Sequence, residues 1–492
     1  MVNYLVNTTL AQRFFDAIIP VLSWVVITLP LWLSPFHPAV VAYFIISFDL
    51  YFLYKAVSTA YFATLSYRYI QLNQNVPFAK KLLNLPKAKQ IKHFIIIPNF
   101  KEPLYKLEQT IQALQKSDYP YKNIFLVLAF ESRELEVRKK ARKLQVKFRQ
   151  SFTDIIITYH PLLPAEVPGK ASNQTFAAKQ VKEIITKNNW RMQDCLITIC
   201  DADSCLSAKY LSCLTHGYLK DGRRLYHFYW APVLLYNNFW QLPLFIRIQA
   251  TLSSILRLAF LSQKDKLIQI STYSTNLWLL NKVKFWDVDI IPEDWHIFYQ
   301  AFFTFGEKIR TIPLFTLVNG DAVNSGGLLK TSGSRYEQEK RWAWGVSDIS
   351  YVLKKFFSTP KINAFVKLRR IIFLMETHLL WTTSFFILTV SASVPPLINP
   401  VFKRTVLGFL LPKLSGFILT FASLLLILYI YLDYQLRIKL NHKIKITSLP
   451  LMFIQWYLLP LVSFIFSSLP ALDAHTRLLF GKKIKYKVTE KI

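Results

Sequence analysis

Apolar residues along this chain fall into two groups of long, nearly uncharged runs, separated by a stretch of mixed polarity. Ala17–Ser34 carries no charge and Pro38–Tyr54 a single one, Asp49. Much later come Ile371–Val394, Leu414–Leu432 and Leu449–Pro470, the last interrupted by Pro460. A helix needs about 20 mostly apolar residues to cross a bilayer core, so five membrane spans are predicted. The middle stretch has a different texture. His93–Ile97, Ile124–Ala129, Ile155–Thr158 and Leu196–Cys200 are brief apolar runs, the pattern of parallel strands buried on both faces. Between them Leu104–Gln115, the strongly basic Arg133–Arg149 and Ala171–Thr186 read as helices. Such alternation predicts an α/β fold, a mostly parallel sheet flanked by helices. This fold is inserted between N-terminal and C-terminal transmembrane helices: 1–65 holds two spans, 66–90 is a basic linker, 91–355 is the soluble domain, and 356–492 holds interfacial and transmembrane helices with a basic tail.

Composition adds the charge. Of 492 residues 52% are apolar and only 18% charged, which excludes a disordered chain, yet the formal net charge is +31. Nucleic acid, anionic lipid or a phosphorylated substrate would each suit that excess. Its placement narrows the choice. Ser66–Lys92 carries Arg68, Lys80, Lys81, Lys87, Lys89 and Lys92 without an acid, and Lys354–Arg370 is equally one-sided. Basic residues beside spans mark the cytoplasmic side, so the chain reads as a multi-pass protein of the cell membrane with its soluble domain in the cytoplasm. Membrane lipids are thereby partners, and with no nucleic-acid motif in the chain, nucleic acid is not. With five spans the tail Lys482–Lys487 would face outward, against the charge rule, so a re-entrant or interfacial last segment stands as the alternative. A stand-alone transporter is disfavoured by only 12 glycines and no inverted repeat. Trp240–Phe260 is apolar with Arg247 and Arg257, and reads either as an amphipathic surface helix or as a buried one. Cys195, Cys200, Cys205 and Cys213 lack CxxC spacing and read as small buried fillers.

Ligands of open α/β sheets sit beyond the carboxyl ends of the strands. There this chain places Pro98-Asn99-Phe100-Lys101-Glu102, then Glu131-Ser132, then Asp201-Ala202-Asp203. Two carboxylates leaving a buried strand call for a counter-charge, which a hard divalent cation sharing a diphosphate supplies. Glu293-Asp294 follows another apolar run; a carboxylate there is either a general base or a helix cap. Gln338-Glu339-Lys340-Arg341-Trp342 combines an amide, a guanidinium suited to phosphate and an indole on which a sugar ring stacks. Read alone, that segment is equally a helix start burying Trp342 and Trp344.

In order and spacing, Pro98…Glu102, Gly169-Lys170…Asn173, Asp201-x-Asp203, Glu293-Asp294 and Gln338-x-x-Arg341-Trp342 resemble the family 2 glycosyltransferases, in particular membrane-embedded synthases of the cellulose, chitin and hyaluronan type. The resemblance covers about Lys92 to Asp348 and the flanking spans. It implies a GT-A fold, a nucleotide-diphosphate sugar donor, Mg²⁺ or Mn²⁺, and inversion at the anomeric carbon. It implies that Asp203 holds the metal with Asp201, and that Asp294 with Glu293 forms the catalytic pair, Asp294 being the base. Glu102, Glu131, Lys170, Asn173, Asp201, Gln338 and Arg341 would bind the donor, and Trp342 and Trp295 the acceptor. One departure stands out: Ala129-Phe130-Glu131-Ser132 replaces the paired aspartates many members carry after the second strand, which puts the nucleotide in question; UDP is the expected one and GDP the alternative. The acceptor is a growing polysaccharide or, alternatively, a membrane lipid. Asp49, Glu376, His378 and Trp381 would line a polymer's path, although Glu376 reads equally as half of an interfacial ion pair.

Overall fold

A computed structural model describes residues 2–439, 450 and 454–484. The chain divides into two compact units. One comprises Leu65–Phe239 and Phe260–Ala322, the other the residues up to Thr64, Trp240–Ala259 and those from Val323 onward.

The first unit is built on a seven-stranded sheet in the order β3-β2-β1-β4-β8-β6-β9. The four expected strands form to within two residues: β1 Lys92–Asn99, β2 Ile124–Glu131, β3 Asp154–His160 and β4 Cys195–Ile199. They are parallel, with His93 opposite Ile124 and Ile96 opposite Ile199. β1 lies between β2 and β4, which is why it reads as an uninterrupted apolar run. Leu107, Ile111 and Leu114 on helix Leu104–Gln115 pack in one core with Ile95, Ile97, Leu126 and Leu128. Each such fully buried aliphatic side chain contributes about 1.5–3 kcal/mol. Helix Lys170–Lys187 forms as expected, but the basic helix starts late, at Val137 rather than Arg133. Glu136 takes a left-handed φ of 55°, which no α-helix continues, and Arg133 is turned back on Glu131.

Beyond β4 the sheet adds β6 (His227–Trp230), β8 (Tyr273–Asn276) and β9 (Arg310–Pro313); β8 runs antiparallel to both β4 and β6. A small second sheet joins β5 (Cys205–Leu206), β10 (Val318–Asn319) and β7 (Val233–Leu234). Cys195, Cys200 and Cys213 are buried within this unit.

Among the described residues six helices are long and apolar enough to cross a membrane: Leu10–Leu33, Pro38–Gln74, Leu244–Ser262, Ala364–Thr389, Val406–Arg437 and Gln455–Leu479. Sheet topology removes one. Leu244–Ser262 joins β6 to β8, and both lie in the same sheet, so one crossing would carry β8 away from the β4 and β6 to which it is hydrogen-bonded. That helix therefore does not traverse the bilayer. Its Arg247 folds back onto the carbonyls of Leu242 and Trp240, both at 2.9 Å. Within the expected last span, 449 and 451–453 lie outside the described residues, as do 485–487 of the tail. Pro460 opens a short helix, Leu459–Ser463, that passes through a π-helical turn, Phe464–Ser468, into Leu469–Leu479. Arg13 of the first helix donates to the carbonyls of Leu478 (2.8 Å) and Leu479 (2.5 Å), where a cation suits a helix C-terminus. Glu376 makes the ion pair: Lys55 approaches it at 2.6 Å, and the Tyr51 hydroxyl donates to it at 2.5 Å.

Candidate active site

Four of the candidate residues meet at the carboxyl ends of the strands. Lys170, first residue of its helix, reaches Asp201 at 2.7 Å and Glu293 at 3.1 Å, and donates to the Ser271 carbonyl at 2.8 Å. Asp294, beside Glu293 in the first turn of helix Glu293–Phe305, accepts from the Ser271 N–H at 2.9 Å and from the Trp295 N–H at 2.9 Å. One lysine thus faces three carboxylates on two segments distant in sequence. Burial opposes the Lys170 charge, but Asp201 and Glu293 outweigh it and hold the ammonium well above its ordinary range. Burial pushes Glu293 up to about 6, against the pull of Lys170, and raises Asp294 as well. A carboxylate raised towards neutrality is a better proton acceptor than an ordinary one.

Asp203 stands at the other end of the same turn. Its carboxylate accepts from the Asp321 N–H at 3.1 Å, and Lys106 pairs with the Asp321 side chain. Thr110, one helical turn beyond Lys106, donates to the Ala202 carbonyl at 2.7 Å. Helix Leu104–Gln115 therefore grips the turn that carries both aspartates. Among the described residues no three His, Cys, Asp or Glu side chains gather as a metal cage. Two hard carboxylates on one turn nevertheless have the donor chemistry that Mg²⁺ or Mn²⁺ takes, ions that keep substrate and water ligands.

The other candidates of this unit each have local partners. Glu131 is buried and bonded to Arg133, whose guanidinium lies 4.1 Å from the Phe100 ring. Glu102 is half-buried, and its carbonyl accepts from Lys140 at 2.9 Å. Asn173 donates to the carbonyls of Ala129 (2.9 Å) and Asn99 (3.5 Å), tying its helix to the ends of β1 and β2. Trp295 stacks against Phe260 with centroids 6.4 Å apart. His160 and His296 bond to Glu166 (2.8 Å) and Asp287 (2.9 Å).

Gln338, Arg341 and Trp342 belong to the second unit, on helix Leu328–Ala343. Gln338 accepts from Arg335, which also pairs with Glu339 and lies 4.7 Å from the Trp342 ring; Arg257 lies 5.6 Å from the same ring. Sequence reasoning missed Arg335 and Ser271. Arg335 had a signal, since it precedes Gln338, Glu339 and Trp342 at spacings that share a helix face. Ser271 had none, because it works largely through its backbone.

No protein-family model and no curated protein matches this chain. Among solved structures it is similar to the mannosyltransferase PcManGT from Pyrobaculum calidifontis in complex with GDP-Man and Mn²⁺, at 13% identity over 78% of this chain and 98% of that one, with a TM-score of 0.41. It is also similar to S. aureus TarS 1-349 in complex with UDP-GlcNAc, at 11% identity over 68% of this chain and 90% of that one, with a TM-score of 0.37. Likeness this distant carries no weight in the assignment that follows.

Proposed function

We propose that this chain is a membrane glycosyltransferase of the GT-A, family 2 kind, moving a hexosyl group from a nucleoside diphosphate sugar to a hydroxyl acceptor at the cytoplasmic membrane face. The observation that carries the reading is the convergence of Asp201 and Glu293 on Lys170 where the parallel strands end, with Asp294 held beside them by the Ser271 N–H and Asp203 two residues from Asp201. A single displacement needs one base and a stabilised leaving group and no covalent nucleophile, so it is the step proposed. The acceptor oxygen attacks the anomeric carbon and Asp294 takes its proton. The bond to the diphosphate breaks with its electron pair leaving on the diphosphate, and configuration inverts. Asp203 with Asp201 would hold Mg²⁺ or Mn²⁺, which when bound supplies positive charge to the leaving group. Lys170 keeps the carboxylates charged and placed without occupying the acceptor's position. Arg341 and Gln338 are assigned to the diphosphate, Trp342 and Trp295 to the acceptor sugar, and Glu102, Glu131 and Asn173 to the nucleoside end.

The test is release of nucleoside diphosphate from UDP- and GDP-sugars by the full chain in lipid, with Mn²⁺ or Mg²⁺. One donor is expected to turn over, and Asp294→Asn to slow it by roughly 10²–10⁴-fold while donor binding persists. Turnover of no donor under either metal would overturn the reading. A high-mass ladder identifies a polysaccharide acceptor, and a single lipid-soluble product a lipid one.

A further inference from the structure

Ser271 lies just before β8 with φ at 66°, a left-handed conformation that residues other than Gly, Asn and Asp rarely adopt. All three of its polar groups are engaged by the acid cluster. Its N–H donates to Asp294 Oδ2 at 2.9 Å, its hydroxyl to Asp201 Oδ2, and its carbonyl accepts from Lys170 at 2.8 Å. Neighbours reinforce the arrangement. The Asp201 N–H donates to Thr272 Oγ1 at 3.1 Å, and Gln269 donates to the Asp294 carbonyl at 2.9 Å while accepting from Thr311 at 2.9 Å. Rotation about N–Cα sets the angle between the N–H and the Cβ–Oγ arm. An ordinary negative φ would swing the arm by more than 100°, so amide and hydroxyl would no longer meet both carboxylates. Strained residues persist where the surroundings over-determine them, and β8, bonded to the β4 that ends two residues before Asp201, supplies that restraint.

We propose that Ser271 is the positioning residue that fixes the donor-side carboxylate of Asp201 relative to the base Asp294, coupling donor capture to proton removal. This rests on the glycosyl-transfer reading above. Ser271→Gly removes the hydroxyl but suits the left-handed backbone that carries both main-chain bonds. Ser271→Ala removes the hydroxyl and keeps a strained side chain at positive φ, without the hydroxyl bond that helps to hold it there. The full chain in lipid is assayed with Mn²⁺ for KM, kcat and equilibrium binding of the matching nucleoside diphosphate. Loss of one hydrogen bond to a charged group should weaken diphosphate binding and raise KM by roughly 10-fold or more in both variants. The glycine variant should lose more in KM than in kcat, whereas the alanine variant should also lose roughly 10-fold in kcat. Wild-type KM and kcat in both variants would overturn the proposal, as would a lowered melting temperature with both constants unchanged. A wild-type protein that neither binds nor turns over any nucleotide would overturn the glycosyl-transfer reading itself, an outcome read without either variant.

Discussion

His93, near the start of β1, has no exposed surface and shares a 2.7 Å hydrogen bond with Thr215. Burial lowers its imidazolium pKa from 6.5 to about 3, so the folded chain keeps it neutral while the unfolded chain protonates it near 6.5. Stability from this residue is complete above 6.5 and is lost as pH falls towards 3, by at most about 1.4 kcal/mol per pH unit. Glu293 pulls the other way: its contribution is present below 4.5 and is lost as pH rises through about 6. Melting temperature between about pH 7 and pH 5 should therefore fall less steeply in His93→Gln than in wild type, and an identical slope would refute the account. At this scale the sequence displayed the carboxylates and Lys170, because charged residues after apolar strands are conspicuous. It concealed Ser271, whose amide and carbonyl every residue shares.

Elements differ in how openly their sequences announce them. The strands β2 and β4 are buried on both faces and β1 nearly so, which makes them legible as apolar runs, while the edge strand β3 is partly exposed and legible only through Ile155–Ile157. β8 reads Tyr-Ser-Thr-Asn and resembles a loop, yet all four residues are buried. Its hydroxyls are satisfied internally: Ser274 pairs with Thr198 at 2.8 Å and Thr275 donates to the His227 carbonyl at 3.0 Å. Helix Leu328–Ala343 holds a comparable surprise in Arg335, only 1% exposed and paired with the buried Glu339. Burial raises the Glu339 pKa, and Arg335 opposes that rise. Arg335→Met should strip that buried carboxylate of its ion pair, leaving the Gln249 bond at 3.4 Å, and cost about 3–5 kcal/mol, whereas Arg335→Met with Glu339→Met should recover most of the loss. Thermal unfolding of the four members of this cycle checks it, and equal losses in single and double variants would refute it.

For the whole molecule, helix length and hydropathy together give six membrane-length helices among the described residues, one more than the five spans expected from the sequence. The strand order shows that the additional one, Leu244–Ser262, stays on one side. This has a consequence for biogenesis. The ribosome releases that apolar segment before it has made β8 or β9, so for some seconds nothing in the sheet can hold it back from the insertion machinery. What opposes insertion at that moment is local: Arg257 lies inside the segment and Arg247 near its start. A central arginine disfavours membrane integration by about 2.5–3.5 kcal/mol. Replacing both arginines by leucine should let a fraction of newly made chains thread the helix across, reversing every later span in those chains. Lys264→Cys, at an exposed position just past the helix, reports the outcome through labelling by a membrane-impermeant maleimide. The thiol should share the sidedness of the strands in the parent and split between sides in the double variant. The two arginines then act chiefly during the chain's manufacture, as a temporary instruction that the completed sheet makes permanent.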